Sequence, residues 1–327
     1  MRYLITLTPL EPYLFGGDVT FGKLGDEENG TYLVHSQKFP QQSAILGMIR
    51  KEIMIQDGKL TRKVRGEWVD KDKVEETKRL VGDEKFDLLS KKEQDFGVIS
   101  KISPIFLYKD EKRFIKKVDI DSYEYKDGLL KNYNPKIDIY DNFVEIDNKD
   151  SKKSASDIFK AVEQIGIKKG GGENAFFKKT SYLLNDNFSF AFYADIDYEL
   201  KDSIVKLGAD DSKFKMKIIK TTDNLEYEDK NGYLTLLSDT YITLPLKEHC
   251  EFAITSEIAH RSLKNKKSIN KKYSFEKSKR VYMYEKGSVI INPSNELIEN
   301  IKSQKNLTKI GYNTISKEQK WKQNFIK

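Results

Sequence analysis

Apolar and polar positions alternate from Tyr3 to Leu7, the two-residue period of a strand with one buried face, and Pro9 and Pro12 end the run. Phe15-Gly16-Gly17-Asp18 reads as a turn, and Gly22, Gly25 and Gly30 keep the chain irregular up to Tyr32-Leu33-Val34. After Pro40 the period changes. Ile45, Met48, Ile49 and Ile53 recur at helical spacing, and Asp57-Gly58 ends the segment. Pro40 suits the first turn, where its missing N–H has no helical partner to lose. Gly47 lies in mid-helix, where glycine costs up to about 1 kcal/mol against alanine. A close backbone approach to a strand or a ligand is the expected reason.

Residues 58–95 are charge-dense and predict helical or looped excursions, followed by strands at Phe96–Ile99 and Ile102–Leu107. The stretch 108–155, rich in Asp, Asn and Lys, reads as an inserted hairpin or arm. Ile158, Phe159, Val162 and Ile165 predict a short helix closed by Gly166. A strand over Asn187–Ile196 follows, with Phe188, Phe190 and Phe192 on one face. Leu200, Ile204 and Leu207 predict another short helix, closed by Gly208. Phe214–Ile219, Tyr233–Leu237 and Tyr241–Leu244 read as strands, and Val281–Tyr284 and Ser288–Ile291 as a hairpin around Lys286-Gly287. Asn292 and Pro293 open a last helix through Leu297, Ile298 and Ile301.

This order of elements predicts an α+β chain of two tandem ferredoxin-like (RRM-like) domains with polar insertions. The expected boundaries are 1–195, with an arm near 108–155, and 196–327. A length of 327 residues agrees, since single cores stop growing at roughly 250–300. The same split pattern underlies RNA-recognition folds.

Composition narrows the function. Cys250 is the only cysteine, so no intrachain disulfide framework forms, and no Cys/His spacing suggests zinc. The first apolar stretch is too short for a secretory signal, and no run nears the roughly 20 apolar residues of a membrane helix. A cytosolic, cytoplasmic protein with no membrane contact is expected. Net charge is +7, but Arg261–Lys286 alone holds ten Lys/Arg against two acids. So dense a charge favours a polyanion, because neutralising phosphates releases counterions. A solvated lysine-rich loop fits the same charge. Tyr273 and Phe275 within it offer rings for base stacking or for anchoring the segment to the core. Lysines outnumber arginines 50 to 8, which favours point-charge contacts to phosphate over bidentate base reading.

Candidate chemistry is sparse. The histidines are His35, His249 and His260; His35 precedes the first helix and His260 the basic segment, the two places where an acid–base group could meet a phosphate. No HExxH, GxxxxGK[ST] or GxSxG element occurs. Acidic pairs such as Asp138/Asp141 and Asp210/Asp211 arise routinely in a chain this rich in acids. Gly170-Gly171-Gly172, flanked by Lys168, Lys169, Lys178 and Lys179, could wrap a phosphate or be a plain turn, with Phe176 and Phe177 able to stack on bases.

Several ordered pieces carry a resemblance. They are Leu4-Ile5-Thr6-Leu7-Thr8-Pro9-Leu10-Glu11-Pro12-Tyr13-Leu14-Phe15, Phe39-Pro40-Gln41-Gln42-Ser43-Ala44-Ile45-Leu46-Gly47-Met48-Ile49-Arg50, Phe96-Gly97 before Ser103-Pro104-Ile105-Phe106-Leu107, Ile165-Gly166-Ile167 before Phe176-Phe177, Lys286-Gly287-Ser288-Val289-Ile290, and Ile310-Gly311-Tyr312-Asn313. In this order they resemble the RAMP superfamily of CRISPR proteins, and within it the subunit of type III-B (Cmr) effectors that holds the 5′ handle of the guide RNA (crRNA). A sister subunit of type III-A complexes shares the fold. The opening turn departs from the family, which usually has a basic residue where this chain has Gly16-Gly17-Asp18.

The resemblance implies a non-catalytic subunit with no cofactor, metal or small-molecule substrate. Its partners would be the crRNA 5′ handle, the large polymerase/cyclase-like subunit and the backbone RAMP subunits. A β-hairpin thumb, from 108–155, would separate handle from guide. The candidate RNA-binding residues are Lys38, Gln41, Gln42, Ser43, Gly47 and Arg50 around the first helix, and Lys168, Lys169, Gly170, Gly171, Phe176, Phe177, Lys178 and Lys179 in the glycine-rich loop. Lys266, Lys267, Lys271, Lys272, Arg280, Lys286 and Gly287 complete the set from the basic segment. The alternative is a RAMP-type, metal-independent endoribonuclease that processes guide precursor with His35 or His260.

Overall fold

Strand β1 (Arg2–Pro9) lies inside the largest sheet of the computed structural model, paired antiparallel on both edges. Ser189–Ile196 lies on one side, with Arg2 opposite Asp195, and Lys213–Lys220 on the other, with Tyr3 opposite Lys220. The sheet continues past Ser189–Ile196 through Phe106–Lys109, Lys112–Lys116, Asn142–Glu145 and Lys152–Ser154, and ends on the opposite edge at Ser203–Lys206. The described residues are 1–17, 21–24, 31–61, 63–64, 67–68, 71–83, 85–120, 123–126, 129–134, 136, 139–167, 176–185, 187–229, 233–261, 263–267, 273–277 and 279–317.

The sheet is covered on both faces, which is why Ser189–Ile196 is apolar almost throughout. Phe188, Phe190 and Phe192 share one face, as the alternation predicts, and pack with Tyr3, Ile5, Leu7 and the helix α1 (Gln42–Gln56). Ala191 and Tyr193 face the other way and pack with Leu4, Phe106, Ile115 and the covering segment that carries Leu225, Tyr227 and Leu237. α1 places Ile45, Met48, Ile49 and Ile53 in the first core and ends at Asp57, with Gly58 at φ +70°.

A second helix, α2 (Val74–Val81), stops at Gly82. Gly82 and Gly97 both have positive φ, and a Cβ on Gly97 would lie 2.3 Å from the Leu80 carbonyl oxygen. A side chain there meets both backbone strain and a clash. Gly97→Ala is expected to lose about 1–3 kcal/mol in urea unfolding; an unchanged midpoint would show that the 80–83 and 95–97 segments slide apart freely.

Two short helices expected from the sequence are strands. Only one turn, Ala155–Ile158, is helical, closed by a Ser154–Asp157 capping box. From Phe159 the chain is extended, pairing Phe159–Ile167 with Phe176–Leu184 over nine residue pairs. Ile165 is 73% exposed, so the spacing that suggested a helical face meets no core. Likewise Ser203–Lys206 is a strand in which Ile204 is exposed and Val205 buried, a period of two. The nine-pair hairpin extends through Thr31–His35, parallel to Phe176–Leu184, to Phe21–Leu24.

The C-terminal part builds a small sheet from Leu234–Thr235, Val289–Ile291 and Phe252–Ile254. Helix Asn295–Lys302 covers it with Leu297, Ile298 and Ile301, and Ser294 rather than Asn292 caps that helix by accepting from the Leu297 N–H at 3.2 Å. The expected hairpin around Lys286-Gly287 does not form. Val281–Tyr284 pairs instead with Glu257–His260, and Gly287, at φ +88°, turns the chain into the other sheet. Leu263–Lys267 pairs with Tyr273–Lys277, so the lysine-rich segment is itself a hairpin.

The chain is α+β, mostly antiparallel sheet with few helices. Residue 195 lies within a strand of the main sheet, and Val205, Phe214 and Met216 share a core with Ile5 and Phe190. Three strands of the polar arm, Lys112–Lys116, Asn142–Glu145 and Lys152–Ser154, join that sheet, and Glu124–Lys126 and Leu129–Lys131 form a separate small hairpin. Among the described residues no helix is long and apolar enough to cross a membrane.

Candidate nucleic-acid groove

α1 turns its buried stripe to the core and leaves Ala44, Gly47 and Lys51 exposed. Three cavities adjoin along this open side. The first, about 410 Å³, lies at the helix entry between Lys38, Phe39 and Gln41 and the residues Lys116, Asp141 and Lys286. The second, about 560 Å³, shares Gln41 with it and is bounded by Ser43, Leu88, Arg261 and Lys279. The third, about 290 Å³, shares Ser43 with the second and lies between Gly47, Arg50 and α2. Together they form a groove lined by basic side chains from distant parts of the sequence.

Ion pairs hold the lysines of the first cavity in place. Lys38 pairs with Asp141, and Lys116 lies 2.5 Å from Glu285 and 3.8 Å from Asp141. The Lys286 ammonium sits 4.1 Å from the centre of the Phe39 ring. Its burial lowers its pKa, against the pull of Asp239 and Glu285. Three lysines against three carboxylates leave little net charge at rest. An incoming phosphate would therefore compete with Asp141 and Glu285 for ammonium groups already in position.

Beneath the groove lies a buried polar node. The Asp239 carboxylate accepts from the Lys286 backbone N–H at 3.0 Å and lies 3.2 Å from His260 Nε2. Burial pushes the Asp239 carboxyl up, but Lys286 and His260 outweigh it and hold it well below the usual carboxylate range. His260 packs edge-on against Tyr312, whose hydroxyl lies 3.5 Å from the Ser43 N–H in the first turn of α1. The node thus ties the helix entry to the Lys286-Gly287 turn.

The groove brings together Lys38, Gln41, Ser43, Gly47, Arg50 and Lys286. Gly287 follows Lys286, and a Cβ there would lie 3.0 Å from Lys116 backbone and side-chain atoms. Gln42 points inwards: its amide donates to the Ser103 and Ile310 carbonyls at 2.9 and 2.6 Å, so it fixes the helix rather than facing the groove. Lys178 pairs with Glu163 at 2.8 Å and Lys179 with Asp210, both on the nine-pair hairpin, and the Phe177 ring covers Gly166. Arg280 lies beside Tyr282, its guanidinium donating to the hydroxyl at 3.0 Å. Lys168, Lys169, Gly170, Gly171, Lys271 and Lys272 lie outside the described residues, as do the side chains of Phe176, Lys266 and Lys267.

Sequence reasoning missed Lys116, Arg261 and Lys279 as groove residues. Nothing local marks Lys116 among fifty lysines; its ammonium meets the Glu285 carboxylate across 169 positions. Of the histidines, His35 is exposed, His249 lies 3.2 Å from Ser294 Oγ, and His260 is 1% exposed. Asp141, Asp210 and Asp211 are each engaged by lysine, and no His, Cys, Asp and Glu group suited to a metal ion occurs among the described residues.

Fold and groove define an α+β chain of mostly antiparallel sheets with a lysine-lined groove along one helix. This fold is found in a chain of the Type III-B Cmr-beta complex bound to cognate target RNA, over 96% of both chains, at TM-score 0.52 and 15% identity. The same complex with target RNA and AMPPnP gives 0.51 at equal identity and coverage. A chain of the Csm3-Csm4 subcomplex of the type III-A CRISPR-Cas interference complex aligns at 0.38 and 12% identity, over 89% of this chain and 92% of that one, too distant to carry weight. No protein-family model and no curated protein matches the sequence. The fold is thus shared with a chain of the Cmr-beta complex along nearly the whole length of this one.

Proposed function

We propose that this chain is a non-catalytic RNA-binding subunit of a type III CRISPR effector complex. In this reading the crRNA 5′ handle lies in the groove along α1, and other faces dock the large polymerase-like subunit and the backbone RAMP subunits. The observation that carries it is the convergence of Lys38, Gln41, Ser43, Gly47, Arg50 and Lys286 on one groove. The fold shared with a chain of an RNA-bound complex supports it. Lysines on fixed carboxylates suit a backbone held by charge, and the exposed Gly47 lets a strand approach the helix closely. In this reading the thumb is a β-hairpin, and the 108–155 arm carries one, Glu124–Lys126 paired with Leu129–Lys131.

The absence of chemistry in this reading rests on function being shared among subunits. His260, shut beneath the groove beside Asp239, is a poor acid–base group for a phosphate, which leaves His35 for the endoribonuclease alternative. Incubating the purified chain with handle-bearing repeat RNA in chelator tests both. The expected result is salt-sensitive binding of uncut RNA, with crosslinks from the handle to the groove. Site-specific cleavage that disappears in His35→Ala would replace this reading with the nuclease.

A further inference from the structure

The third cavity has walls that RNA backbone binding does not explain. Leu46, Met54, Val81 and Phe86 make it largely apolar, yet two buried polar atoms, Arg50 Nε and Thr61 Oγ1, have no hydrogen-bond partner among the described residues. Arg50 is 8% exposed and Thr61 9%. The guanidinium is otherwise well held: it donates to the Asp95 carbonyl at 3.1 Å and lies 5.5 Å from the centre of the Phe96 ring. Burial lowers its pKa to about 10, against the pull of Asp83 and Asp95. A buried donor left unmade is costly, so such atoms mark a place completed by something else.

Gly47 adds an independent sign. A Cβ there would meet nothing within 4 Å among the described residues, so no packing among them requires glycine. Glycine nevertheless stands in mid-helix, where it is the poorest residue after proline. The space in front of it is wanted empty.

We infer that this cavity takes a single nucleobase that presents a carbonyl, with the base edge on Arg50 and Thr61 and its faces against the apolar walls. A flat ring with apolar faces and a polar edge is the ligand such walls and donors suit, and unpaired bases are commonly read by stacking and edge hydrogen bonds. The volume, about 290 Å³, is near the lower end for small-ligand pockets. Adenine, which lacks a carbonyl, fits the donors less well than uracil or guanine. The base comes from an RNA strand in the groove or from a free nucleotide. The first source rests on the function proposed above; the second does not.

The test uses the full chain and Gly47→Leu, which fills the space while improving the helix. Its melting temperature is expected to rise, which separates lost binding from lost folding. Handle-bearing RNAs with one abasic nucleotide at each position in turn are titrated beside UMP, GMP and AMP. If the strand supplies the base, one abasic position weakens wild-type binding at least tenfold and makes no further difference in Gly47→Leu. If a free nucleotide does, UMP or GMP binds saturably, more tightly than AMP, and Gly47→Leu abolishes it. RNA bound with a flat abasic scan, and no nucleotide bound, overturns the inference and leaves the RNA-binding reading standing. Nucleotide bound in the cavity without any affinity for RNA keeps the inference and removes that reading.

Discussion

Replacing Asp239 with alanine is expected to destabilise the chain by about 3–5 kcal/mol at neutral pH, the usual loss when one member of a buried charged group is removed. The carboxylate accepts the Lys286 backbone N–H and faces His260, and the His260 ring would be left buried without it. Asp239→Asn should lose less, because an amide oxygen can still accept the 3.0 Å hydrogen bond. The pH dependence gives the sharper check. The folded carboxyl is held well below the ordinary value, so folding favours its ionised form. That stabilisation is complete above the unfolded-state value, about pH 4, and declines as the pH falls through it. The gap between wild type and Asp239→Ala in urea unfolding should therefore be widest near pH 7 and shrink below about pH 4. A gap constant from pH 7 to pH 3 would mean that the charge on Asp239 contributes nothing.

That node also shows where sequence reading stops. β1, α1 and the Phe188–Phe192 face were legible because their periods report burial that each segment meets alone. The helices expected at 158–165 and 200–207 failed for the converse reason. Spacings of three and four also arise by chance in strands, and Ile165 and Ile204, the residues that completed them, face outwards. Lys38, Gln41, Ser43, Gly47, Arg50 and Lys286 were legible as candidates through the family resemblance, but their convergence was not. It depends on Asp239 and His260 joining the Lys286 turn to the start of α1, and on Lys112–Lys116 pairing with Asn142–Glu145. Gln42, on the same first helix turn, has its amide committed to two buried carbonyls, a contact that no local pattern in the sequence marks.

The groove itself predicts the largest functional effect. Changing Lys38, Lys116 and Lys286 together to glutamine should weaken binding of handle-bearing RNA by on the order of a hundredfold at low salt. Each lysine that meets a phosphate releases about 0.7 of a counterion from single-stranded RNA, so the slope of log K against log salt should fall by about 2. Glutamine keeps most of the side-chain length and removes only the charge. Lys116 and Lys286 also steady Glu285 and Asp239, so thermal melts of the variant must accompany the titrations. Loss of affinity with the slope unchanged would point to a disturbed fold, not to lost phosphate contacts. The informative comparison is Lys178→Gln with Lys179→Gln, on the Phe159–Leu184 hairpin, where the ammonium groups meet Glu163 and, outside the hairpin, Asp210. If the groove carries the handle, this pair changes the slope by less than half as much as the three groove lysines do. If the hairpin pair produces the larger change, the RNA runs along the hairpin, and the lysines beside α1 serve only to hold Asp141 and Glu285 in place.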